Sequence, residues 1–264
     1  EKVRRWEGEK ILNSPLSHFL TFSPSHLLTF SLFVYLCIQK RITMQSRKII
    51  TIIIAAMLTL TAAAQDKRVK VACIGNSITE GYALADPSKD SYPAVLQQML
   101  GKGYQVENFG LSGHTLLMKG NLPYMAAQRY KDALAFNPDI VTIKLGTNDS
   151  KPENWAHGDE FKRDLTAMAK SFMELPSRPR VYLCLPVPAE TGKFSINDSV
   201  ITNGVIPCIR EVAAELRLPV IDLNTAMRPF FPEAYADGVH PNELGAHVIA
   251  ACIYCALTGR DSDN

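Results

Sequence analysis

Five short apolar segments, each followed by a segment with apolar residues at helical spacing, constrain the fold of this chain most strongly. The apolar segments are 68–74, 104–109, 140–145, 180–185 and 219–223. Between them, apolar residues recur three and four positions apart, as in Tyr92, Val95, Leu96 and Met99, which is typical of amphipathic helices. Strands that alternate with helices favour a parallel sheet covered on both faces. The predicted fold is therefore an α/β three-layer α/β/α sandwich around a five-stranded parallel sheet.

The N-terminal part of the chain is predicted to lie outside this domain. A segment at 44–64 has the pattern of an export signal, with a basic pair at 47–48, an apolar run at 49–60 and small residues at 61–64. The apolar run is shorter than the roughly 20 residues that span a bilayer, so cleavage is favoured over a retained membrane anchor. Residues 1–43 are interpreted as a non-native upstream extension, with a first membrane helix as the alternative.

Residues 65–264 have the length of one domain and carry slightly more acidic than basic side chains. They contain no basic tract, so nucleic acid is not an expected partner. The cysteines in this part show no metal-type spacing and are odd in number, which predicts neither a disulfide framework nor a metal site. They are Cys73, Cys184, Cys208, Cys252 and Cys255. The expected location is secreted or periplasmic, without a membrane anchor after signal cleavage.

Polar turns follow the ends of three predicted strands, and a fourth precedes the last predicted helix. The four stretches are 75–77, 108–113, 145–149 and 237–242. In sheets of this type, ligands bind beyond the carboxyl ends of the strands. Taken singly, each stretch also fits an ordinary turn or helix cap. Asp237 and His240 are more suggestive, because residues three apart can touch within one turn and leave the second ring nitrogen free as a base.

The first of these turns, Gly75-Asn76-Ser77, lacks two widespread site motifs. It is not Gly-x-Ser-x-Gly, so the nucleophile elbow of the α/β-hydrolases does not apply. It also lacks the Gly-Lys-Ser/Thr of a phosphate-binding P-loop. A serine at the start of a predicted helix remains, either as a helix cap or as a nucleophile.

In their order and spacing, the four stretches resemble those of the SGNH, or GDSL, hydrolase family across most of residues 68–257. The resemblance implies a flavodoxin-like fold and ester hydrolysis without a metal or other cofactor. It also implies that Ser77 is the nucleophile and that His240 and Asp237 complete a catalytic triad. The oxyanion hole of the family falls on the backbone N–H groups of Ser77 and Gly113 and on the side chain of Asn148.

Three further residues near these stretches are candidates for substrate binding. Asn76 stands where the family usually has Asp, and it keeps the shape and one acceptor of that residue. His114 follows Gly113 and either lines the pocket or faces solvent. Trp155 either offers a flat face to a sugar ring or packs its loop onto the domain.

The predicted function is a secreted serine esterase that hydrolyses O-acyl esters of carbohydrates, O-acetyl esters in particular, through an acyl-enzyme intermediate. The run Ser-Lys-Pro-Glu-Asn-Trp at 150–155 resembles a subset of secreted bacterial SGNH esterases assigned to carbohydrate deacetylation. The expected partner is a small-molecule or glycan ester, and no oligomeric state is predicted. Two alternatives stay open: a lipid-directed acylhydrolase of the lysophospholipase or thioesterase type, and a non-catalytic carbohydrate-binding relative.

Overall fold

Residues 68–259 are described by the computed structural model, together with Thr51 and Ile53. Residues 68–259 fall within a single compact unit. The predicted upstream extension at 1–43 and the predicted export signal at 44–64 lie outside the described residues, except for Thr51 and Ile53, which have helical backbone conformation. In the described part of the chain, no helix is long and apolar enough to cross a membrane.

Five parallel strands form one sheet in the order β2-β1-β3-β4-β5. The strands are β1 Val69–Gly75, β2 Tyr104–Gly110, β3 Ile140–Lys144, β4 Arg180–Cys184 and β5 Val220–Ile221. In register, Cys73 of β1 lies between Asn108 of β2 and Thr142 of β3. This order is that of flavodoxin-like sheets, whose ligand crevice lies where the order reverses, between β1 and β3. The predicted five-stranded parallel sheet is confirmed.

Helices connect the strands and cover both faces of the sheet. They are α1 Ser77–Glu80, α2 Pro87–Asp90, α3 Tyr92–Leu100, α4 Gln128–Phe136, α5 Pro152–Trp155, α6 Phe161–Met173, α7 Asp198–Val200, α8 Ile206–Leu216, α9 Leu223–Met227 and α10 Glu243–Thr258. Their ends carry ordinary capping signals. For α10, the Asn242 side chain accepts the N–H of Gly245, and Gly259 ends the helix in the left-handed conformation.

Alternate residues of β1 face the two helical layers, and both sets are apolar. Val71 and Cys73 belong to the core formed with α3 and α10, whereas Ala72 and Ile74 belong to the core formed with α6 and α8. Burial on both faces explains why the strands appear as continuous apolar runs rather than as alternating patterns. Each large apolar side chain buried in this way contributes about 2 kcal/mol. The three-layer architecture is therefore confirmed.

The last strand is shorter than the apolar run at 219–223 predicts. β5 contains only Val220 and Ile221, and α9 follows at Leu223. The side chain of Asp222 accepts the N–H of Thr225 at 2.9 Å and caps α9. A helix start inside the apolar run ends the strand early, because the capping bond satisfies a backbone donor that the strand would leave unpaired.

Lys144 ends β3 with a buried amine. Its side chain is 1% exposed, and its Nζ has no hydrogen-bond partner among the described residues. Burial lowers the pKa of Lys144 from 10.5 to about 7, although the neighbouring Cys184 opposes that shift. The folded protein therefore favours the neutral amine.

Replacement of Lys144 with Met is expected to raise the free energy of unfolding at neutral pH by about 4 kcal/mol. The unfolded lysine titrates near 10.5 and the buried one near 7, so the unfolded state binds more protons between these values. The free energy of unfolding of the wild-type protein should therefore rise as the pH increases from about 7 to about 10.5. Below this range, the full cost of burying a protonated lysine applies. Urea unfolding of both proteins from about pH 6 to about pH 10 measures the effect. A stability difference that stays constant with pH would contradict it.

Candidate active site

The strand β1 ends at Gly75, and α1 begins two residues later at Ser77. A Cβ on Gly75 would lie 1.9 Å from Thr79 Oγ1 and 3.0 Å from the carbonyl oxygen of Lys144. Only glycine therefore lets α1 turn back so closely over the end of the strand. Asn76 caps the helix, because its Oδ1 accepts the N–H of Ile78 at 3.1 Å. These local features place Ser77 at the carboxyl edge of the sheet.

The structure corrects the assignment of Asn76 to substrate binding. The residue is 0% exposed, so its side chain offers no surface to a ligand. Its acceptor is used by the α1 cap, and its Nδ2 has no partner among the described residues. Asn76 therefore acts on the site through the position of Ser77.

Asp237 and His240 face each other within one turn. Asp237 Oδ1 accepts the backbone N–H groups of Val239, at 3.0 Å, and of His240, at 2.8 Å. Asp237 Oδ2 lies 2.7 Å from His240 Nδ1. Because an ionised carboxylate only accepts, Nδ1 carries the proton and Nε2 is left as an acceptor. Nε2 lies 3.0 Å from Ser77 Oγ. Ser77, His240 and Asp237 thus form a hydrogen-bonded triad.

The charge on Asp237 is favoured by its surroundings. Partial burial raises the pKa of Asp237, but hydrogen bonds from the backbone and ring of His240 and from the Val239 N–H outweigh it. The net effect holds the pKa of Asp237 below its usual 3.8. An ionised carboxylate at this position fixes the ring orientation of His240 and stabilises an imidazolium.

Hydrogen-bond donors lie on the turns at the same edge of the sheet as Ser77. Among residues 68–259, the backbone N–H groups of Ser77 and Gly113 have no acceptor. Gly113 has a φ of 76°, a left-handed conformation that favours glycine. Asn148 Nδ2 donates to the carbonyl oxygen of His114 at 3.1 Å, which places the amide next to Gly113. Three groups that can bind an oxyanion therefore lie on the turns after β1, β2 and β3.

Asn148→Ala is expected to lower kcat for ester hydrolysis by about 10²- to 10³-fold, the usual effect of removing one oxyanion donor. The loss should fall on kcat rather than KM, because the developing negative charge exists only in the transition state. Steady-state kinetics on a soluble acetate ester measure it. Asn203→Ala is the matched control, since Asn203 is exposed and its amide donates to the Ser199 hydroxyl, outside the candidate site. A loss below about fivefold would remove Asn148 from this role.

The loop that carries Gly113 is fixed by a buried carboxylate. Asp149 accepts the N–H of Leu116 at 3.1 Å and the N–H of Leu117 at 2.8 Å. Burial raises the pKa of Asp149 to about 6, although these backbone hydrogen bonds oppose the shift. Asp149 thus ties the turn after β3 to the loop after β2. Sequence reasoning missed this role, because an aspartate in a turn has many ordinary explanations.

Two more carboxylates hold the same loop at 111–122. The Ser112 N–H donates to Glu80 Oε2 at 2.9 Å, and the Ser112 hydroxyl donates to the same oxygen. Asp164 Oδ2 accepts the N–H of Met118 at 2.8 Å. Backbone donors fixed by carboxylates cost little reorganisation when charge develops nearby. The loop is therefore preorganised from α1, from the turn after β3 and from α6.

The two remaining substrate-binding candidates lie in different settings. The ring of His114 is half-buried and its Nδ1 lies 2.9 Å from the carbonyl oxygen of Ser112. The ring of Trp155 lies 5.8 Å from that of Phe161, and a Cβ on Gly204 would approach it to 2.4 Å. These contacts favour the packing alternative for Trp155.

Two aromatic residues next to His240 were not identified from the sequence. The ring centroid of Tyr82 lies 4.5 Å from that of the His240 imidazole, and the ring centroid of Phe194 lies 5.2 Å from it. Neither residue belongs to an apolar periodic segment, so the sequence offers no signal for this contact.

Solved structures with the same fold include an acylhydrolase and a carbohydrate acetylesterase. The lipase/acylhydrolase from Enterococcus faecalis matches with a TM-score of 0.60 and 27% identity, over 73% of this chain and 96% of that one. Est24, a carbohydrate acetylesterase from Sinorhizobium meliloti, matches with a TM-score of 0.60 over 73% of this chain and 99% of that one. At 17% identity, the second likeness concerns the fold alone.

The chain belongs to the GDSL-like lipase/acylhydrolase family, whose profile matches residues 73–248. The predicted family is therefore confirmed. An acetylxylan esterase from Xylanibacter ruminicola is 45% identical over 212 residues, covering 74% of this chain and 44% of that protein. The chain thus spans less than half the length of this relative.

Proposed function

We propose that this chain is a serine esterase that releases acetate from acetylated carbohydrate, with acetylated xylan as its substrate. The observation that carries the proposal is the geometry of Ser77, His240 and Asp237, whose reacting atoms lie 3.0 and 2.7 Å apart. The substrate class is supported by the acetylxylan esterase that is 45% identical to this chain over 212 aligned residues.

The first step is attack by Ser77 on the ester carbonyl carbon. A serine hydroxyl is a weak nucleophile at neutral pH, so it needs a base within hydrogen-bond reach. His240 Nε2 accepts the hydroxyl proton while Oγ forms the new bond to carbon. The resulting imidazolium is stabilised by the ionised Asp237 on its other nitrogen.

The tetrahedral intermediate carries negative charge on the former carbonyl oxygen. The N–H groups of Ser77 and Gly113 and the amide of Asn148 donate to that oxygen. Each such donor is commonly worth about 3 kcal/mol in the transition state. His240 then returns its proton to the oxygen of the leaving sugar alcohol, the C–O bond breaks, and Ser77 is left acetylated.

In the second step, water hydrolyses the acetylated Ser77. His240 accepts a proton from the water molecule, whose oxygen attacks the acetyl carbon. The same donors stabilise the second tetrahedral intermediate, and His240 protonates Ser77 Oγ as acetate leaves.

We further propose that the enzyme acts outside the cytoplasm, where polymeric glycans are accessible. The support for this is the sequence pattern at 44–64.

Acetate release from acetylated xylan tests the proposal, with nitrophenyl acetate and nitrophenyl octanoate as small comparison substrates. We expect acetate release from the glycan and much faster hydrolysis of the acetate than of the octanoate. Faster hydrolysis of the octanoate would support the lipid-directed alternative. Glycan binding without hydrolysis of any ester would support the non-catalytic alternative.

A further inference from the structure

Tyr82 and Phe194 are far apart in the sequence, but both place an exposed aromatic ring against the imidazole of His240. The Tyr82 ring is tilted by 49° to the His240 ring, and the Phe194 ring contacts it edge-on at 76°. Tyr82 is 50% exposed and Phe194 is 51% exposed. Single exposed apolar residues are ordinary, but two that share one contact define a surface.

Backbone hydrogen bonds link the segments that carry both rings to the segments of the triad. The Tyr82 N–H donates to the carbonyl oxygen of Ser77 at 3.0 Å, which fixes Tyr82 relative to the nucleophile. The segment that carries Phe194 is joined to the turn before His240, because the Glu190 N–H donates to the carbonyl oxygen of Gly238 at 2.7 Å. The backbone at each ring is therefore connected to a segment that carries a reacting atom.

Phe194 also has an uncommon backbone conformation. Its φ is 51° and its ψ is 28°, and Ser195 follows with a φ of 61°. Bulky residues rarely adopt this left-handed region, and such strained residues cluster at functional sites. The strain points to a role for this aromatic ring at the surface beside His240.

The position of the rings relative to the ester follows from the chemistry of His240. Its Nε2 donates a proton to the leaving alcohol oxygen, so the alcohol part of the ester must lie against the imidazole. The carbonyl oxygen points instead to the donors at Gly113 and Asn148. Tyr82 and Phe194 therefore border the alcohol part of the substrate and not the acyl part.

We propose that Tyr82 and Phe194 form the subsite for the pyranose ring that bears the acetyl group, which rests on the proposed esterase function. The C–H face of a pyranose ring is apolar and matches an aromatic surface, while its hydroxyl groups remain in water. The phenol of Tyr82 adds a group that can donate to or accept from a sugar hydroxyl.

The test compares a methyl xyloside acetylated at one hydroxyl with ethyl acetate, which has the same acyl group on an acyclic alcohol. Tyr82→Ala and Phe194→Leu are each expected to lower the ratio of kcat/KM for the xyloside to kcat/KM for ethyl acetate about tenfold, mainly through KM. Tyr82→Phe should retain most of the wild-type ratio, because phenylalanine keeps the aromatic ring. Phe230→Ala is the control, since Phe230 is also exposed but makes no ring contact with His240.

Equal losses on both esters would overturn the proposal, because they would mean that the rings only support the imidazole. Variants with wild-type activity on both esters would overturn it as well. So would a wild-type enzyme that cleaves ethyl acetate but not the xyloside. The proposed esterase function fails separately, if wild-type protein cleaves neither ester or if Ser77→Ala cleaves both.

Discussion

Alanine at Ser77 is expected to lower kcat for acetate release by about 10⁴-fold or more, and alanine at His240 should lower it as much. The double variant should be no slower than either single variant. The physical reason is that the 3.0 Å contact between Oγ and Nε2 makes the two groups one unit, so removal of either disables the proton transfer. Steady-state kinetics on nitrophenyl acetate measure all three proteins.

Matched controls separate this effect from damage to the fold. Ser199→Ala and His247→Ala change exposed residues of the same types, and both should keep wild-type turnover. Thermal unfolding of each variant checks that the domain stays folded. Losses that multiply in the double variant would mean that Ser77 and His240 act independently, which contradicts the proposed mechanism.

Asp237→Asn is expected to lower kcat by about 10³- to 10⁴-fold with little change in KM. The amide is nearly isosteric but uncharged, so it no longer stabilises the imidazolium. Its NH₂ group can also face Nδ1, which would favour the tautomer that places the ring proton on Nε2 and blocks proton acceptance from Ser77. Kinetics on the same acetate ester measure the change.

Asp132→Asn, a substitution at an exposed aspartate, is the control for this variant. A loss of less than about tenfold in Asp237→Asn would limit Asp237 to shaping its turn through the N–H groups of Val239 and His240. Because those two bonds use Oδ1 and the ring uses Oδ2, the asparagine can keep the turn while losing the charge.

The sheet and the position of the site were predictable because their signals are local. Each buried strand is a continuous apolar run, and each polar turn follows at the strand's carboxyl end. The resemblance then linked Ser77 to Asp237 and His240, and the structure brings these three within hydrogen-bond distance of one another. The end of the last strand was misplaced, because the capping signal of Asp222 lies inside an apolar run.

Other features depend on contacts that no local pattern encodes. Glu80 binds a backbone group 32 positions away, and Asp149 binds two at similar separations. The packing of Tyr82 and Phe194 on His240 likewise appears only when three distant segments meet. The burial of Lys144 at the end of β3 is a further example, because no local pattern distinguishes a buried lysine from an exposed one.

The two hydrogen bonds of the triad differ in the length of chain that they close. Asp237 and His240 belong to one four-residue turn, whereas Ser77 and His240 are 163 positions apart. The acid–base pair is therefore set by its own turn, whereas its contact with the nucleophile depends on how that turn packs against the end of β1. Substitutions that leave the turn intact but alter this packing should change turnover without separating Asp237 from His240.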